Sequence, residues 1–456
     1  MDIRTFLAVT ASKLTKKLLR LFGRGGTALP GKVALKLHPT LLAHLARDVR
    51  CIVITGTNGK TTSVRIIEEM LEKSGASYFS NRSGANLVSG ITAEFIENSS
   101  LSGRPKKSFA LIEVDEAASK EVNRLISPEI VLVTNIFRDQ LDRYGEVAHT
   151  RENILIGLKN APTATICLNA DCSLSVSLAD EVENKTIFYG VDLPIYKNPV
   201  SEISDATHCI RCKHEYKYNY RTFGHLGGFY CENCGYKRPK LQVAVTGILS
   251  TAVDSTTVCV NIFGDLLELK INLPGGYNIY NAAGALAVSE LMGFDRESSK
   301  AAVASFSCGF GRMELFDLGT HSARMILVKN PAGCNQVLNY LTSLSEETLF
   351  IFCLNDKLAD GTDVSWIWDV AFEKLVEMDE RLSFIFVSGI RAYDMAVRLK
   401  YAGVPLEKLK IIEDYDALIK EMEERKLPVV IVPTYTAMMD LREKMSAVFG
   451  GKEFWK

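Results

Sequence analysis

The chain of 456 residues lacks an excess of either charge. Its 53 Lys and Arg residues nearly balance its 54 Asp and Glu residues, which leaves a formal charge of -1. A nucleic-acid-binding protein usually has a basic excess or a basic stripe. The sequence also lacks an apolar run of about eighteen residues, the length that a membrane-spanning helix needs. Nucleic acid is therefore not expected as a ligand, and no transmembrane helix is predicted.

The N-terminus lacks the uninterrupted apolar core of a signal peptide, because basic side chains interrupt it at Lys13, Lys16, Lys17 and Arg20. Apolar residues recur there at helical spacing, namely at Leu7, Ala11, Leu14, Leu18 and Leu21. The pattern predicts a basic amphipathic helix within an N-terminal segment, residues 1–45. Such a helix either packs on its own protein or lies on an anionic membrane surface. The sequence leaves both interpretations open.

A disulfide framework is also absent. Seven of the eleven cysteines are scattered, mostly in apolar runs: Cys51, Cys167, Cys172, Cys259, Cys308, Cys334 and Cys353. This usage is typical of buried thiols in a reducing cytosol. We therefore expect a cytoplasmic protein, which the amphipathic helix would bring to the inner face of the membrane if it binds lipid.

The remaining four cysteines form two CxxC pairs separated by eighteen residues, Cys209/Cys212 and Cys231/Cys234. Two such pairs supply the four thiolates of a tetrahedral zinc site. The alternative, two unrelated thiol pairs, is disfavoured because turn residues such as Gly235 accompany the pairs. We predict a zinc ribbon at about residues 205–240. Its expected role is structural, because a bound metal can fold a segment that has too little core of its own.

Apolar runs typical of buried parallel strands alternate with helical patterns along most of the chain. The runs begin with CIVITG at residues 51–56, and the pattern restarts after about residue 310 with RMILVKN at residues 324–330. The fold class is therefore α/β. We predict a central domain at residues 46–310, interrupted by the ribbon, and a C-terminal α/β domain with its own parallel sheet at residues 311–456.

A phosphate-binding loop is predicted at ITGTNGKTTS, residues 54–63, between the first strand and a helix that begins near Lys60. Backbone N–H groups of such a turn, together with a helix N-terminus, form an anion cradle. Lys60 would reach the β- and γ-phosphates of ATP, and Thr61 would hold Mg²⁺. Ile54 stands where a generic Walker loop has glycine. The predicted nucleotide-binding residues of the loop are Gly56, Thr57, Asn58, Gly59, Lys60, Thr61 and Thr62.

The shorter motif GTNGKTT resembles the Mur ligase family, which includes the folylpolyglutamate synthases. The resemblance extends over about residues 45–456, through NRSGAN (81–86), LIEVDEA, TNIFRDQLDRYG (134–145), LNADC, GGYNIYN and GRME. It implies ATP and Mg²⁺ as cofactors, a second Mg²⁺ on Glu113, adenine-side contacts from Asn278 and Asn281, and an ATP contact from Arg312. Gln140 stands where the family usually has a metal-binding His, and Tyr277 replaces another common His.

One branch of the family resembles this chain most, through the short N-terminus, the inserted four-cysteine ribbon and NDKLADGTDVSWIWD at residues 355–369. That branch implies ATP-dependent amidation of the α-carboxyl of D-glutamate in the stem peptide of lipid II. The reaction passes through an acyl phosphate and yields D-isoglutamine, and a separate GatD-type glutamine amidotransferase supplies the ammonia. This places the expected function in peptidoglycan biosynthesis.

The chain lacks the G-x-C-x-G elbow of a triad glutaminase, so glutamine hydrolysis is expected in a partner chain. The resemblance implies that an acid after the strand ending near Leu354 orients the partner's catalytic His. Asp356, Asp360 and Asp363 are the candidates, and Asp356 is favoured because it directly follows the strand. All three acids are equally typical of a solvated turn.

Two other functions remain open at this point. A folylpolyglutamate-synthase-like ligase would add an amino acid and need no glutaminase, but the ribbon and NDKLADGTDVSW argue against it. A zinc-ribbon regulatory module or nucleic-acid adaptor would bind ATP without carboxylate-dependent turnover. A glutaminase gene beside this one would favour the amidating ligase over both.

Overall fold

The structure, a computed structural model, describes residues 2–22, 27–82, 85–139, 146–196, 204–252, 254–306, 311–378 and 382–450. Three helices open the chain: α1 Ile3–Leu21, α2 Leu29–Leu37 and α3 Leu41–Ala46. The predicted N-terminal helix is present, but the residues it buries are Thr5, Ala8, Val9 and Ser12. Its leucine face is exposed. Among the described residues, no helix has the apolar length needed to cross a bilayer.

The next part of the chain forms a nine-stranded sheet and a separate hairpin. In chain order the strands are β1 Arg50–Thr55, β2 Tyr78–Ser80, β3 Phe109–Glu113, β4 Ile130–Val133, β5 Thr165–Asn169, β6 Thr186–Val191, β7 Lys217–Phe223, β8 Leu226–Tyr230, β9 Val243–Thr251, β10 Thr256–Ile262 and β11 Asp265–Ile271. The sheet has the order β11-β10-β9-β6-β5-β4-β1-β3-β2. Its strands are parallel from β2 to β9, and β10 and β11 are antiparallel.

Within the described residues, the helices that accompany this sheet are α4 Lys60–Lys73, α5 Val88–Glu97, α6 Ser119–Ile126, α7 Val147–Lys159, α8 Ser173–Val176, α9 Tyr277–Met292 and α10 Arg296–Ser305. The central strands are buried along their lengths because helices cover both faces of a parallel sheet. β1 lies between β3 and β4. The loops that follow these three strands therefore meet at one edge of the sheet, where α/β proteins bind ligands.

The C-terminal part forms a six-stranded sheet with the order β12-β13-β17-β14-β15-β16. Its strands are β12 Arg312–Asp317, β13 Ser322–Ile326, β14 Thr348–Cys353, β15 Leu382–Ser388, β16 Leu409–Ile411 and β17 Val429–Pro433. Five are parallel, as predicted, and β12 is an antiparallel edge strand that the sequence analysis missed. The helices are α11 Pro331–Ser343, α12 Glu373–Val376, α13 Ala392–Tyr401, α14 Tyr415–Arg425 and α15 Tyr435–Phe449, with short 3-10 helices at Ser365–Asp369 and Leu406–Lys408.

The α/β fold class with a parallel sheet in each part is confirmed. The exact domain limits stay a prediction, and residues 307–310 at the predicted boundary lie outside the described residues. The predicted ribbon is inserted between β6 and β9, two strands that pair in parallel in the large sheet.

A buried ion pair fixes the start of β12. Arg442 on α15 donates to both carboxylate oxygens of Glu314 at 2.8–3.1 Å, and Glu314 also accepts the backbone N–H of Gly311 at 2.8 Å. Both side chains are nearly buried. Arg312 lies between Gly311 and Glu314, so the ion pair also holds the backbone that carries the Arg312 side chain.

We predict that Arg442→Met lowers the free energy of unfolding of the C-terminal sheet by about 3–5 kcal/mol, because it leaves the Glu314 carboxylate buried without a cation. The three tryptophans, Trp366, Trp368 and Trp455, all lie in the C-terminal part, so urea unfolding followed by tryptophan fluorescence measures this change. The control is Lys444→Met, which removes an exposed pair between Lys444 of α15 and Asp416 of α14 and should have little effect, because exposed ion pairs contribute little to stability. Equal effects of the two changes would contradict the assignment.

Candidate active site

The predicted phosphate loop lies between β1 and α4 and is held by polar contacts from the segment after β4. Thr57 Oγ1 accepts the N–H of Phe137 at 3.0 Å, and the N–H of Asn58 donates to Asn135 Oδ1 at 3.0 Å. Gly56 and Gly59 have positive φ angles of 119° and 87°. A side chain at Gly59 would also collide with Asn281, since an added Cβ would lie 2.2 Å from Asn281 Oδ1. The loop therefore requires glycine at this position.

The predicted catalytic lysine is buried beneath this loop. Lys60 Nζ donates to the carbonyl of Gly56 and lies 2.8 Å from Glu116 Oε1. Burial by itself would lower the pKa of Lys60, but the carboxylates of Glu116 and Glu113 outweigh that effect and raise it. The ammonium is therefore charged and close to the backbone cradle. Glu116 was not identified from the sequence, although it lies only three residues after Glu113.

The residues predicted to hold two different Mg²⁺ ions, Thr61 and Glu113, are brought together. Thr61 at the start of α4 donates through Oγ1 to Glu113 Oε2 at 2.8 Å. Glu113 ends β3, beside β1 in the sheet, so its carboxylate and the phosphate loop share one edge. Asn81 fixes the Glu113 backbone by donating to its carbonyl at 2.8 Å and accepting its N–H at 2.9 Å. A hydroxyl and a carboxylate are the hard oxygen donors that Mg²⁺ prefers, so these residues fit the ion.

Polar contacts join the two sheets across a cleft in front of the phosphate loop. Lys329 follows β13, and its Nζ lies 2.5 Å from Asp139 Oδ2. Arg138 Nη2 lies 2.6 Å from Asp369 Oδ2. Burial would raise the pKa of Asp139, but the Lys329 ammonium outweighs it and lowers that pKa. Asn330 donates to Asn58 Oδ1 at 3.1 Å, which ties the C-terminal part directly to the phosphate loop.

The cleft is lined from both parts of the chain. The large sheet contributes Asn58, Gly59, Thr62, Asn278 and Asn281, and the C-terminal sheet contributes Arg312 at the start of β12. These are residues that the sequence predicted for nucleotide binding. Gln336, which was not predicted, also lines the cleft, and its buried Nε2 has no hydrogen-bond partner among the described residues. A buried donor without a partner is unfavourable, so this amide fits a ligand acceptor in the cleft.

The asparagines predicted for the adenine side lie near the N-terminal end of α9 and are both buried. Asn278 donates to the carbonyl of Pro274 at 2.6 Å, and Asn281 donates to Asn278 Oδ1 at 3.0 Å. This arrangement holds the Asn281 amide against the phosphate loop. Tyr277 and Tyr280 of the same helix also line the cleft and give it aromatic surface.

The four ribbon cysteines converge on one point. The sulfur atoms of Cys209, Cys212, Cys231 and Cys234 all lie within 4.8 Å of one another, with Sγ–Sγ distances of 3.6 Å between Cys209 and Cys234 and 3.4 Å between Cys212 and Cys231. A tetrahedral zinc site with Zn–S bonds of about 2.3 Å places its sulfur atoms about 3.8 Å apart. The residues therefore fit a zinc ion.

The ribbon packs into the core beside the cleft rather than hanging from the surface. Asp171, fully buried after β5, accepts from Arg238 of the ribbon at 2.5 Å and from Tyr280 of α9 at 2.6 Å. Phe223 of β7 stacks on Phe137, with 5.9 Å between the ring centroids, and its side chain lines the cleft. Sequence spacing identified the cysteines but not Phe223, because no local pattern shows which aromatic side chain faces a distant cleft.

The three carboxylates of the acidic loop after β14, Asp356, Asp360 and Asp363, make different contacts. Asp360 is buried and accepts from the backbone and hydroxyl of Thr436 at 2.7 and 2.5 Å. Asp363 accepts the N–H of Ser365 at 2.8 Å and so begins the following 3-10 helix. Asp356 is partly exposed and lies 3.2 Å from Arg391. The neighbouring Asn355 connects this loop to Ile390 and Thr436.

Six of the predicted nucleotide residues thus line one cleft, whereas Asp356, which follows the inner strand β14, does not line it and contacts Arg391 instead. Gln140, the predicted departure at a metal position, lies outside the described residues. Asp139, Lys329 and Asn330 were not predicted as site residues. Lys329 directly follows the apolar run MILV (325–328), and Asp139 and Asn330 each lie one residue beyond a basic residue that follows an apolar stretch.

Two protein-family descriptions match the chain. The Mur ligase middle domain matches residues 54–289, and the MurT ligase C-terminal domain matches residues 327–438. Solved structures with the same fold include a pseudomurein peptide ligase type C from Methanothermus fervidus, at a TM-score of 0.65 and 18% identity over 88% of this chain and 79% of that one. MurF from Acinetobacter baumannii has a TM-score of 0.66 at 13% identity over 92% of this chain and 80% of that one.

Curated relatives match almost end to end. The MurT subunit of the glutamine-hydrolyzing lipid II isoglutaminyl synthase from Streptococcus pneumoniae is 34% identical over 98% of both chains. The corresponding subunit from Staphylococcus aureus is 33% identical over 98% of this chain and 99% of its own length. With the two domain matches, this similarity shows that the chain belongs to the MurT branch of the Mur ligase family of ATP-dependent ligases.

Proposed function

We propose that this chain catalyses the ATP-dependent amidation of the α-carboxyl of D-glutamate in the stem peptide of lipid II, which yields D-isoglutamine in peptidoglycan biosynthesis. The observation that carries the proposal is the end-to-end similarity to relatives named as MurT subunits of lipid II isoglutaminyl synthase. The cleft between the two sheets supports it, because phosphate-, magnesium- and adenine-type residues converge there.

In this proposal the carboxylate attacks the γ-phosphoryl group of ATP, and ADP leaves. An acyl phosphate forms, and ammonia then displaces its phosphate to give the amide. Phosphoryl transfer depends on positioning and charge neutralisation. Lys60 would move from the Gly56 carbonyl to the phosphates, and Arg312 would approach them from the C-terminal sheet. Glu113 and Thr61 would hold Mg²⁺, which neutralises phosphate charge when bound.

A partner subunit would supply the ammonia. The relatives are named as subunits of a glutamine-hydrolyzing enzyme, and we propose a glutamine amidotransferase of the GatD type as the partner of this chain. Asp356 would orient the catalytic His of that partner, because Asp360 and Asp363 already serve the fold of their own loop. An exposed apolar face on and beside α13 supports docking next to Asp356. Its members are Ile390, Tyr393, Val397 and Tyr401.

Zinc in the ribbon would have a structural role that reaches the active site. The four thiolates would hold the base of the hairpin β7–β8, and the hairpin places Phe223 against the nucleotide cleft. The metal would thereby stabilise one wall of that cleft without taking part in the reaction.

The first prediction concerns ATP use. Lys60→Ala should lower kcat for ADP release by about 10²–10³-fold or more, because it removes a cation that stabilises charge in phosphoryl transfer. ADP release is measured with the lipid substrate and free ammonia, and thermal unfolding is followed to exclude loss of the fold. The control is Lys420→Ala, whose side chain is exposed on α14 and which should retain full activity. Normal ADP release by Lys60→Ala would contradict the assignment.

The second prediction concerns the partner. Asp356→Asn should depress glutamine-dependent amidation in the two-subunit complex by up to about 10⁴-fold, the loss seen when a carboxylate no longer fixes its His. Amidation from free ammonia should be spared, because it does not use the partner's His. Asp363→Asn is the control and should use glutamine normally. Asp360→Asn should impair both reactions, since it loosens the loop.

Both nitrogen sources are therefore measured on all three variants. If all three variants used glutamine as well as the unaltered chain, the proposed role of the loop would be wrong. Equal loss of both reactions in Asp356→Asn would mean that this residue serves the ATP site or the fold instead.

The third prediction concerns the ribbon. Elemental analysis should find one zinc per chain, and Cys209→Ser should lose it and raise KM for ATP, because Phe223 is no longer held at the cleft. Cys259→Ser is the control, since Cys259 lies on β10 away from the cluster and should keep both zinc and KM. A purified chain that holds no metal and is unchanged by chelators would refute the zinc assignment.

A further inference from the structure

The first part of the chain has a strongly uneven charge. Between Ile3 and Arg47 there are nine basic residues and no Asp or Glu, although the whole chain has a formal charge of -1. The basic residues are Arg4, Lys13, Lys16, Lys17, Arg20, Arg24, Lys32, Lys36 and Arg47. A basic segment of this kind is attracted to anionic lipid headgroups.

Helix α1 exposes the apolar face that a helix packed on its own protein would bury. The side chains that it buries are small, namely Thr5, Ala8, Val9 and Ser12. Its large apolar side chains face outward in one stripe, Ile3, Leu7, Leu14, Leu18 and Leu21, with Ile3 70% and Leu21 74% exposed. A helix that only packs on its own protein buries its apolar stripe. Arg4, Lys17 and Arg20 are exposed on the same helix.

The contacts of α1 direct its C-terminal end toward the active-site edge. Thr5 packs at Gly103, Lys13 donates to the carbonyl of Ser99 at 2.8 Å, and Lys16 lies 3.2 Å from Glu97. α1 therefore runs antiparallel to α5. The following helix α2 places Gly31 directly against the backbone of Ser89, near the start of α5.

The start of α5 is in turn connected to the site. It follows residues 81–86, where Asn81 holds the Glu113 backbone and the carbonyl of Asn86 accepts the N–H of Asp115. The exposed leucines at the end of α1 thus lie toward the edge of the sheet where the carboxylate substrate would bind.

We propose that the exposed face of α1 lies on an anionic phospholipid bilayer, with its leucines at the acyl boundary and its exposed basic side chains, Arg4, Lys17 and Arg20, among the headgroup phosphates. The alternative occupant, the same face of a second copy, is disfavoured because pairing would bring two segments together that each carry nine basic residues and no acid between Ile3 and Arg47. Lipid binding itself is independent of the proposed amidation. Its consequence, delivery of a lipid-linked substrate to the cleft, rests on that proposed function.

Flotation of the full chain with vesicles tests the inference. Vesicles that contain phosphatidylglycerol should bind the chain, vesicles of phosphatidylcholine alone should bind it weakly, and added salt should reduce binding. Leu14→Glu/Leu18→Glu should lower the affinity for anionic vesicles about tenfold or more, because it removes apolar surface and adds negative charge. The matched control is Leu249→Glu/Leu266→Glu. It adds the same charge at leucines that are exposed on β9 and β11, and should bind like the unaltered chain.

The outcomes separate the two proposals. Absence of binding to anionic vesicles, or equal binding by Leu14→Glu/Leu18→Glu, would overturn the membrane inference. A dimer in solution that this variant dissociates, without vesicle binding by the unaltered chain, would assign the face to a second copy. Vesicle binding without amidation of lipid II would leave the inference intact and refute the proposed function. If both hold, the variant should raise KM for lipid II in vesicles and leave turnover of a water-soluble stem-peptide substrate unchanged.

Discussion

The ion pair between Asp139 and Lys329 joins two sheets that would otherwise be separate α/β units. Each sheet presents loops at the carboxyl ends of its strands, and a cleft exists because contacts between the two parts hold those loops face to face. Asp139 is almost fully buried, and the Lys329 ammonium, assisted by Lys60 and the Asn330 amide, offsets the cost of burying its charge. The Asn58–Asn330 contact depends on the same juxtaposition. A ligand bound at the phosphate loop would therefore lie next to the contacts that hold the two parts of the chain together.

The ribbon has a similar connecting role within the large sheet. The Asp171 carboxylate accepts hydrogen bonds from Arg238 of the insertion, from Tyr280 of α9 and from the backbone of Val191 in β6. Burial raises the pKa of Asp171, while the Arg238 guanidinium opposes that rise. An inserted hairpin, a strand and helix α9 thus share one buried acid. The insertion consequently packs against the helix that carries the asparagines predicted for adenine binding, and its Phe223 lines the cleft.

The sequence predicted those features that depend on short spacing or on neighbouring strands. The phosphate loop and the cysteine cluster are of this kind, because each follows from local spacing. Glu113 was expected as a magnesium ligand only from the resemblance to the Mur ligases, and its contact with Thr61 was not predicted. Phe223 and Gln336 could not be predicted, since their approach to the cleft depends on packing between distant segments. Helix α1 is an instructive case. Its periodicity correctly placed the leucines on one face, but periodicity does not show whether protein covers that face.

The insertion point of the ribbon has a consequence for how the chain folds. β6 and β9 pair in parallel, but about fifty residues separate Val191 from Val243, and the entropy cost of closing a loop increases with its length. The β7–β8 hairpin forms from residues close in sequence, and the paired cysteines at its base bring distant ends of the insertion together. We therefore expect the insertion to fold early and to shorten the effective loop between β6 and β9. The pairing of these two strands, which are distant in sequence, would then begin with the strands already near each other.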